Sequence, residues 1–390
     1  MFLQSVSLQN FRNYPNKVFN FNQNTVLIVG PNASGKTNLL EAIYLLATGR
    51  SFRAETEAEM ISYGQEMSRV SAEISSRRVL PLGSPRAVPP GNNTGAPSLG
   101  LPALASPAAS EINKLEIVLT TGLVSGKAVA KKIYKINGVN KRMRDFVGSL
   151  RAVYFGPEDL QLVTDSPSRR RRYLDLVLSQ VDREYAGASL TYERGLRQRN
   201  KILEELQRYR DIELQRGEIK ARLDFWDQLL VKNGNYITGK REEFTNFLNK
   251  EGKFELEYVR SAISLTALAE NFEKEVRFGM TLVGPHRDDI KFKVQSSKFK
   301  DGEGRDLSIY GSRGEQRLAV LWLKVGELEF VSNKTGERSL LLLDDIFSEL
   351  DKENIKLINQ MGLIERQQTI ITATEERVVP EGREIEIVRV

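Results

Sequence analysis

The stretch Gly30-Pro31-Asn32-Ala33-Ser34-Gly35-Lys36-Thr37 fits G-x-x-x-x-G-K-[ST]. It constrains the fold more than any other feature, because such a loop works only between a buried strand and a helix. Both flanks qualify. Thr25-Val26-Leu27-Ile28-Val29 is a β-branched apolar run and reads as a buried strand. After the loop, Leu39, Leu40, Ile43, Leu46 and Ala47 recur at helical spacing. Loop amides and the helix N-terminus would then cradle phosphate oxygens. Lys36 is expected at the β- and γ-phosphates and Thr37 at Mg²⁺. ATP is therefore the expected cofactor, and a chance glycine turn would not bring both flanks with it.

A phosphate loop needs an acid for the metal. Leu340-Leu341-Leu342-Leu343-Asp344-Asp345 is an apolar strand ending in two acids. Asp344 is the expected Mg²⁺ residue, and Asp345 is expected to orient or deprotonate the attacking water. The two motifs stand at opposite ends of the chain, so one ATPase head has to be assembled from N- and C-terminal parts around a large insertion. The fold class is α/β, with a mostly parallel sheet.

What lies between is uneven. "FLQSVSLQNFRNYPNKVFNF" alternates like two strands around a turn at Asn13-Tyr14-Pro15. Residues 75–110 are Pro-, Gly-, Ala- and Ser-rich without period, and are expected to be a disordered insertion. "KLEIVLTT" and "KKIYKING" read as strands, with a turn at Asn137-Gly138. Asp159 to about Lys250 reads as helical. "KFELEYV", "MTLVG" and "IKFKV" read as strands, and the tail alternates helix, strand, helix ("KENIKLINQMGL"), strand. This divides the chain into 1–158, a helical lobe 159–255, and 256–390.

Composition narrows the partners. With 57 Lys+Arg against 51 Asp+Glu the net charge is +6, which suits a polyanion. Residues 169–222 hold most of the excess, beginning with Arg169-Arg170-Arg171-Arg172. A solvated helical face explains any one of these; the cluster is read as contacting the phosphates of a nucleic acid. There is no cysteine, which excludes disulfides and thiolate chemistry. The single histidine, His286, has no assigned role. No apolar run reaches the ~18 residues of a membrane span, and no secretory signal is visible.

Ser312 and Gly314 open a helix whose Leu318, Leu321, Val325 and Leu328 keep helical spacing. An ordinary N-cap serine is one reading. The other is a second phosphate cradle. One head does not need two cradles, so Ser312 and Gly314 are expected to meet the nucleotide of a second copy. Ser348-Glu349-Leu350-Asp351 is the expected dimer-interface loop and Thr374 the expected γ-phosphate sensor.

Taken in order, "LQNFRNY", the phosphate loop, "GRSFR", "FGPEDLQLV", "SPSRRRRYLD", "GPHRDD", "GSRGEQR" and "LLLDDIFSELD" resemble the RecF family of bacterial recombination mediators, related to ABC-type and SMC-type ATPase heads. The resemblance covers nearly the whole chain except 75–110. It implies an ABC-type head with an inserted helical lobe, acting in the cytoplasm. It implies binding to double-stranded DNA and to single-strand/double-strand junctions, with RecR as partner and RecO and RecA reached indirectly. It implies an ATP-dependent homodimer released by slow, DNA-stimulated hydrolysis. It also implies nucleotide contacts from Arg12 and from the Arg50–Arg53 lid. No glutamine stands where ABC-type heads place their metal-coupling residue; that position falls near Pro157-Glu158. An SMC-like or ABC-type head of another DNA-bound complex is the alternative. A transporter subunit would lack the basic lobe and carry a sensor histidine.

Overall fold

The computed structural model describes residues 1–75, 112–208, 216–250, 253–294, 304–346, 363–376 and 385–390. The insertion expected at 75–110 lies outside them, apart from Ser75, which ends a strand. The interface loop 348–351 and the helix "KENIKLINQMGL" also lie outside, save for the last Leu363.

Strands and helices are numbered in chain order. An antiparallel sheet runs β2 (Tyr14–Asn20), β1 (Phe2–Phe11), β4 (Met67–Ser75), β5 (Ile112–Thr120), β8 (Lys132–Ile136) and β9 (Val139–Lys141). A short ribbon, β6 (Leu123–Val124) with β7 (Lys127–Ala128), projects from it. The second sheet is wholly parallel: β10 (Ala152–Phe155), β14 (Leu340–Leu343), β15 (Thr369–Ala373), β3 (Thr25–Val29) and β16 (Glu386–Arg389). Its inner strands are near-continuous apolar runs because both faces are covered.

Alternate residues of these strands feed two cores. Val26, Ile28, Ala152, Leu340, Leu342 and Ile370 join one with the antiparallel sheet; Leu27, Val153, Phe155, Leu341, Leu343 and Ile371 join the other with the helices. Helix α1 (Lys36–Thr48) lies between the two sheets, with eleven of its thirteen residues buried. That is why its apolar residues wrap all round it.

The insertion between the two halves of the parallel sheet is mainly helical. Short α2 (Met143–Phe146) and α3 (Gln161–Thr164) lead into α4 (Pro167–Val181), α5 (Arg183–Arg208) and α6 (Arg216–Leu248). Helix α7 (Leu265–Phe278) packs on α5 and α6. A three-stranded sheet, β11 (Phe254–Val259), β12 (Asp289–Val294) and β13 (Arg305–Asp306), closes the lobe. Short α8 (Leu307–Tyr310) then precedes α9 (Arg313–Thr335), which packs against α4, α6 and β10. The architecture is the expected α/β head split by a helical lobe.

"MTLVG" is not a strand, contrary to its sequence pattern. Side chains take its backbone groups instead of a ladder. Thr281 N–H donates to Asn200 Oδ1 at 2.9 Å, Leu282 N–H to Glu275 Oε1 at 2.8 Å and Gly284 N–H to Ser261 Oγ at 3.1 Å. His286 finishes the turn: Tyr192 O–H meets Nδ1 at 2.8 Å and Nε2 meets the Thr281 carbonyl at 3.0 Å. The lone histidine is thus a neutral structural clamp, and burial pushes its pKa down to about 4.

Candidate functional site

Gly30 to Lys36 link the C-terminal end of β3 to the first turn of α1. Gly35 has φ of 113°, a left-handed value that disfavours a side chain. A Cβ there would lie 2.6 Å from Tyr14 Oη, and one on Gly30 would lie 2.5 Å from the Val390 carbonyl oxygen. Helix α1 has no side-chain cap and no acid in its first turn, so its leading amides are left for a ligand. Tyr14 Oη and Ser34 Oγ are buried beside the loop without hydrogen-bond partners. Lys36 Nζ folds over the loop, donating to the carbonyls of Gly30 (2.8 Å) and Pro31 (3.0 Å). Cradle, orphaned hydroxyls and cation together fit a nucleotide's phosphates.

The parallel register brings the acid to this loop. Asp344 follows the last residue of β14, is 3% exposed, and accepts from Thr37 Oγ1 at 3.1 Å. Thr372, fully buried on the neighbouring β15, donates to the same Asp344 Oδ1 at 2.7 Å and accepts Asp345 N–H at 2.9 Å. Asp345 itself has φ of 48°. Tyr154 Oη lies 3.1 Å from Asp344 Oδ2 and 2.9 Å from Glu158 Oε2, so one hydroxyl proton serves two carboxylates. Burial, then the charges of Asp344 and Glu158, push the Tyr154 pKa well above 10. Glu158 and Asp344 are thus linked through the Tyr154 hydroxyl. Thr37, Asp344 and Glu158 offer only hard oxygens, which fits Mg²⁺. Such ions keep one or two carboxylates and take the rest from phosphates and water.

Arg12, expected at the nucleotide, is anchored within the chain. Its guanidinium is spent on Glu41, at 2.9 and 2.8 Å, and on the Glu59 carbonyl. Its neighbour Asn13 is the one that touches the loop, through the Ser34 carbonyl at 3.0 Å. Glu41 also takes Ser51 Oγ and the Arg53 guanidinium, which ties the lid to α1. Burial raises the Glu41 pKa, but these hydrogen bonds outweigh it and hold the carboxyl below its ordinary value. Thr374, expected as the sensor, is exposed just beyond β15.

Ser312 caps α9 in a capping box with Glu315, and Ser312, Arg313 and Gly314 are all exposed. In this chain alone it is the N-cap serine. The arginine run also needs correction. Arg170 is no phosphate contact: its side chain is 10% exposed and forks onto Asp289 at 2.7 and 2.9 Å. Arg171 turns to the Asp288 carbonyl, and Arg172 to those of Ser51 and Ala54. Arg169 pairs with Asp165 one turn back, at the surface. Successive residues of a helix point in different directions, so a run in sequence is not a row in space.

Sequence reasoning missed Thr372, Tyr154, Glu41 and Asn13. Thr372 carried a signal: it is a buried hydroxyl next to the C-terminal end of a strand whose middle, Ile370-Ile371, is apolar. Glu41 carried one too, as an acid inside an apolar helix.

A family model described as RecF/RecN/SMC N terminal domain matches residues 2–390. The chain is 33% identical over 403 residues to the DNA replication and repair protein RecF of Herpetosiphon aurantiacus, covering 96% of this chain and 94% of that one. Identity to the protein of that name from Natranaerobius thermophilus is 33% over 405 residues, covering 96% and 91%. Among solved structures, the recombination mediator protein RecF with ATP, described in the RecFOR pathway, aligns with a TM-score of 0.76 at 29% identity, covering 97% of this chain and 93% of that one.

Proposed function

The chain belongs to the RecF family, and on that premise we propose that it is an ATP-dependent DNA-binding recombination mediator acting at single-strand gaps and duplex junctions. ATP sits on the phosphate loop, with Lys36 at the β- and γ-phosphates. Thr37 and Asp344 hold Mg²⁺, which supplies charge neutralisation to the phosphates. Asp345 orients the attacking water. Hydrolysis is slow and serves as a switch, acting in the cytoplasm with RecR, and through it RecO and RecA. Of the arginine run, Arg169 stands at the surface, where it can meet the duplex backbone.

The observation that carries the switch is the position of Ser312. Helix α9 packs on β10, and the phosphate loop leaves β3, three strands along the sheet. Both the loop's Pro31, Asn32 and Ala33 and the helix's Ser312 and Gly314 face solvent. A second head placed head-to-tail brings its Ser312 to the first head's γ-phosphate and closes both sites. Light scattering tests this reading. The mass should double with ATP in the wild-type chain and stay monomeric in Lys36→Ala. A wild-type chain that remains monomeric at saturating ATP, with and without duplex DNA, would sink the switch.

A further inference from the structure

A cleft of about 560 Å³ lies beside the lid, away from the phosphate loop. Its walls are the lid loop from Gly49 to Met60, Lys132 and Tyr134 of β8, the first turns of α4, and the face of α5 around Ser189 and Glu193. Arg50, Lys132, Arg171, Arg172 and Arg241 all line it. Three of these cations have acid partners: Arg50 pairs with Glu193, Lys132 with Glu57, and Arg241 with Asp175. Arg171 and Arg172 do not. Among the described residues neither has a carboxylate within ion-pair distance; both donate only to backbone carbonyls. Arg172 Nε is buried with no hydrogen-bond partner at all. The remaining acid, Glu55, is exposed at the rim.

Two guanidiniums without acid partners, half-buried on the walls of one polar cleft, are costly unless something anionic completes them. Burial and neighbouring cations, Arg241 for one and Arg50 for the other, lower the pKa of both. The hydroxyls of Ser168 and Ser189 stand on the same walls. Planar guanidinium forks match tetrahedral oxyanions bidentately. We propose that this cleft is a second phosphate-binding site, in which Arg171 and Arg172 hold a phosphate ester or pyrophosphate group between the lid and the helical lobe.

Occupancy has a consequence for the head. Arg172 grips the Ser51 and Ala54 carbonyls, and Ser51 is bonded to Glu41 of α1. An anion that draws Arg172 toward the cleft therefore acts on the lid that α1 holds.

The test uses the full chain carrying Lys36→Ala, so that the phosphate loop does not compete, and inorganic pyrophosphate as probe in calorimetry. Saturable binding at one site is expected, weakened tenfold or more by Arg171→Gln. Ser168→Glu is the second variant. It places an acid at the cleft in the first turn of α4, where the helix dipole tolerates it, and is expected to weaken pyrophosphate to a similar degree without lowering the melting temperature. A 5′-phosphorylated DNA dodecamer that competes, where its 5′-hydroxyl twin does not, identifies a strand end as the source. Binding of pyrophosphate that neither dodecamer displaces identifies a small phosphorylated molecule. Absence of saturable binding to Lys36→Ala, or binding by Arg171→Gln and Ser168→Glu as tight as that of the Lys36→Ala parent, overturns the site. ATP affinity of Arg171→Gln with Lys36 intact is read separately and should match wild type, which keeps this result apart from that of the two-head switch.

Discussion

Thr372 Oγ1 lies 2.7 Å from Asp344 Oδ1 and, from the other side, receives the Asp345 N–H at 2.9 Å. One buried hydroxyl on β15 thus fixes both acids that end β14. It aims the Asp344 carboxylate at Thr37 and holds Asp345 in its left-handed backbone conformation. Thr372→Val keeps the volume and removes the bridge. A partly buried N–H loses its acceptor, which costs at most about 1–3 kcal/mol. Hydrolysis should fall at least tenfold, and the Mg²⁺ concentration for half-maximal activity should rise. An unchanged Mg²⁺ dependence would show that Thr372 supports only the fold.

Glu41 is the second joint. It is fully buried and binds Arg12, Ser51 and Arg53 at once. Glu41→Gln keeps the shape but cannot satisfy two guanidiniums. Hydrogen bonds to charged groups contribute roughly 1.5–3 kcal/mol, so a loss of several degrees in melting temperature is expected. The lid should also loosen, with faster tryptic cleavage after Arg50 and Arg53. If cleavage there keeps its wild-type rate, Glu41 does not hold the lid.

Two buried groups should give the stability curve opposite slopes. Burial and the cations Arg287 and Arg171 lower His286 from 6.5 to about 4, so the folded chain refuses a proton that the unfolded chain accepts. That contribution is present above pH 6.5 and is lost as pH falls toward 4. Glu327 runs the other way. Burial raises it from 4.5 to about 7 despite Lys324 at 3.5 Å. Its protonated form favours folding below pH 4.5, and the benefit is lost as pH rises to 7. Glu327→Gln should remove the second slope, on the order of 3 kcal/mol across that window. Melting curves from pH 4.5 to 7.5 would then rise monotonically with pH. A variant curve parallel to wild type would show that Glu327 does not titrate there.

Most of the head could be read from the chain. The phosphate loop, β3, β14 and β15 announce themselves through apolar runs bounded by glycines and acids, and their chemistry is local in sequence. Joining Thr37 to Asp344 needed only the requirement that a phosphate loop have an acid. What escaped reading depends on partners far apart in the chain. The "MTLVG" segment has strand composition, but Asn200, Glu275 and Ser261 capture its amides. Arg170 looks like its neighbours until Asp289 is placed beside it. Thr372 escaped notice because its partners, Asp344 Oδ1 and the Asp345 N–H, lie on a neighbouring strand that is distant in sequence. The contact of Asn13 with the loop escaped for the same kind of reason: it depends on the two-residue turn at Arg12, where φ is 52°, and on the Ser34 carbonyl.

Ser312 offers the sharpest separation of roles. In the single chain it caps α9 through Glu315 and is exposed, so a long side chain fits there without disturbing the core. Loss of the cap costs about 1 kcal/mol, which the chain should survive with a small drop in melting temperature. Between two heads the same arginine would place an unpaired charge in a closing interface. Ser312→Arg should therefore keep ATP affinity within about threefold of wild type, a difference worth less than 1 kcal/mol, while ATP-driven dimerisation and hydrolysis are lost. Mixing it with Lys36→Ala extends the argument. In such a pair one composite site joins an intact phosphate loop to an intact Ser312, and the other carries both defects. Heterodimers should form on adding ATP, detected by mass with one partner tagged, and partial hydrolysis should return if one closed site suffices. If Ser312→Arg instead abolishes ATP binding in isolated monomers, Ser312 serves its own nucleotide and the two-head arrangement fails. If binding survives but the mixture never pairs, the exposed end of α9 is not the surface on which the second head closes.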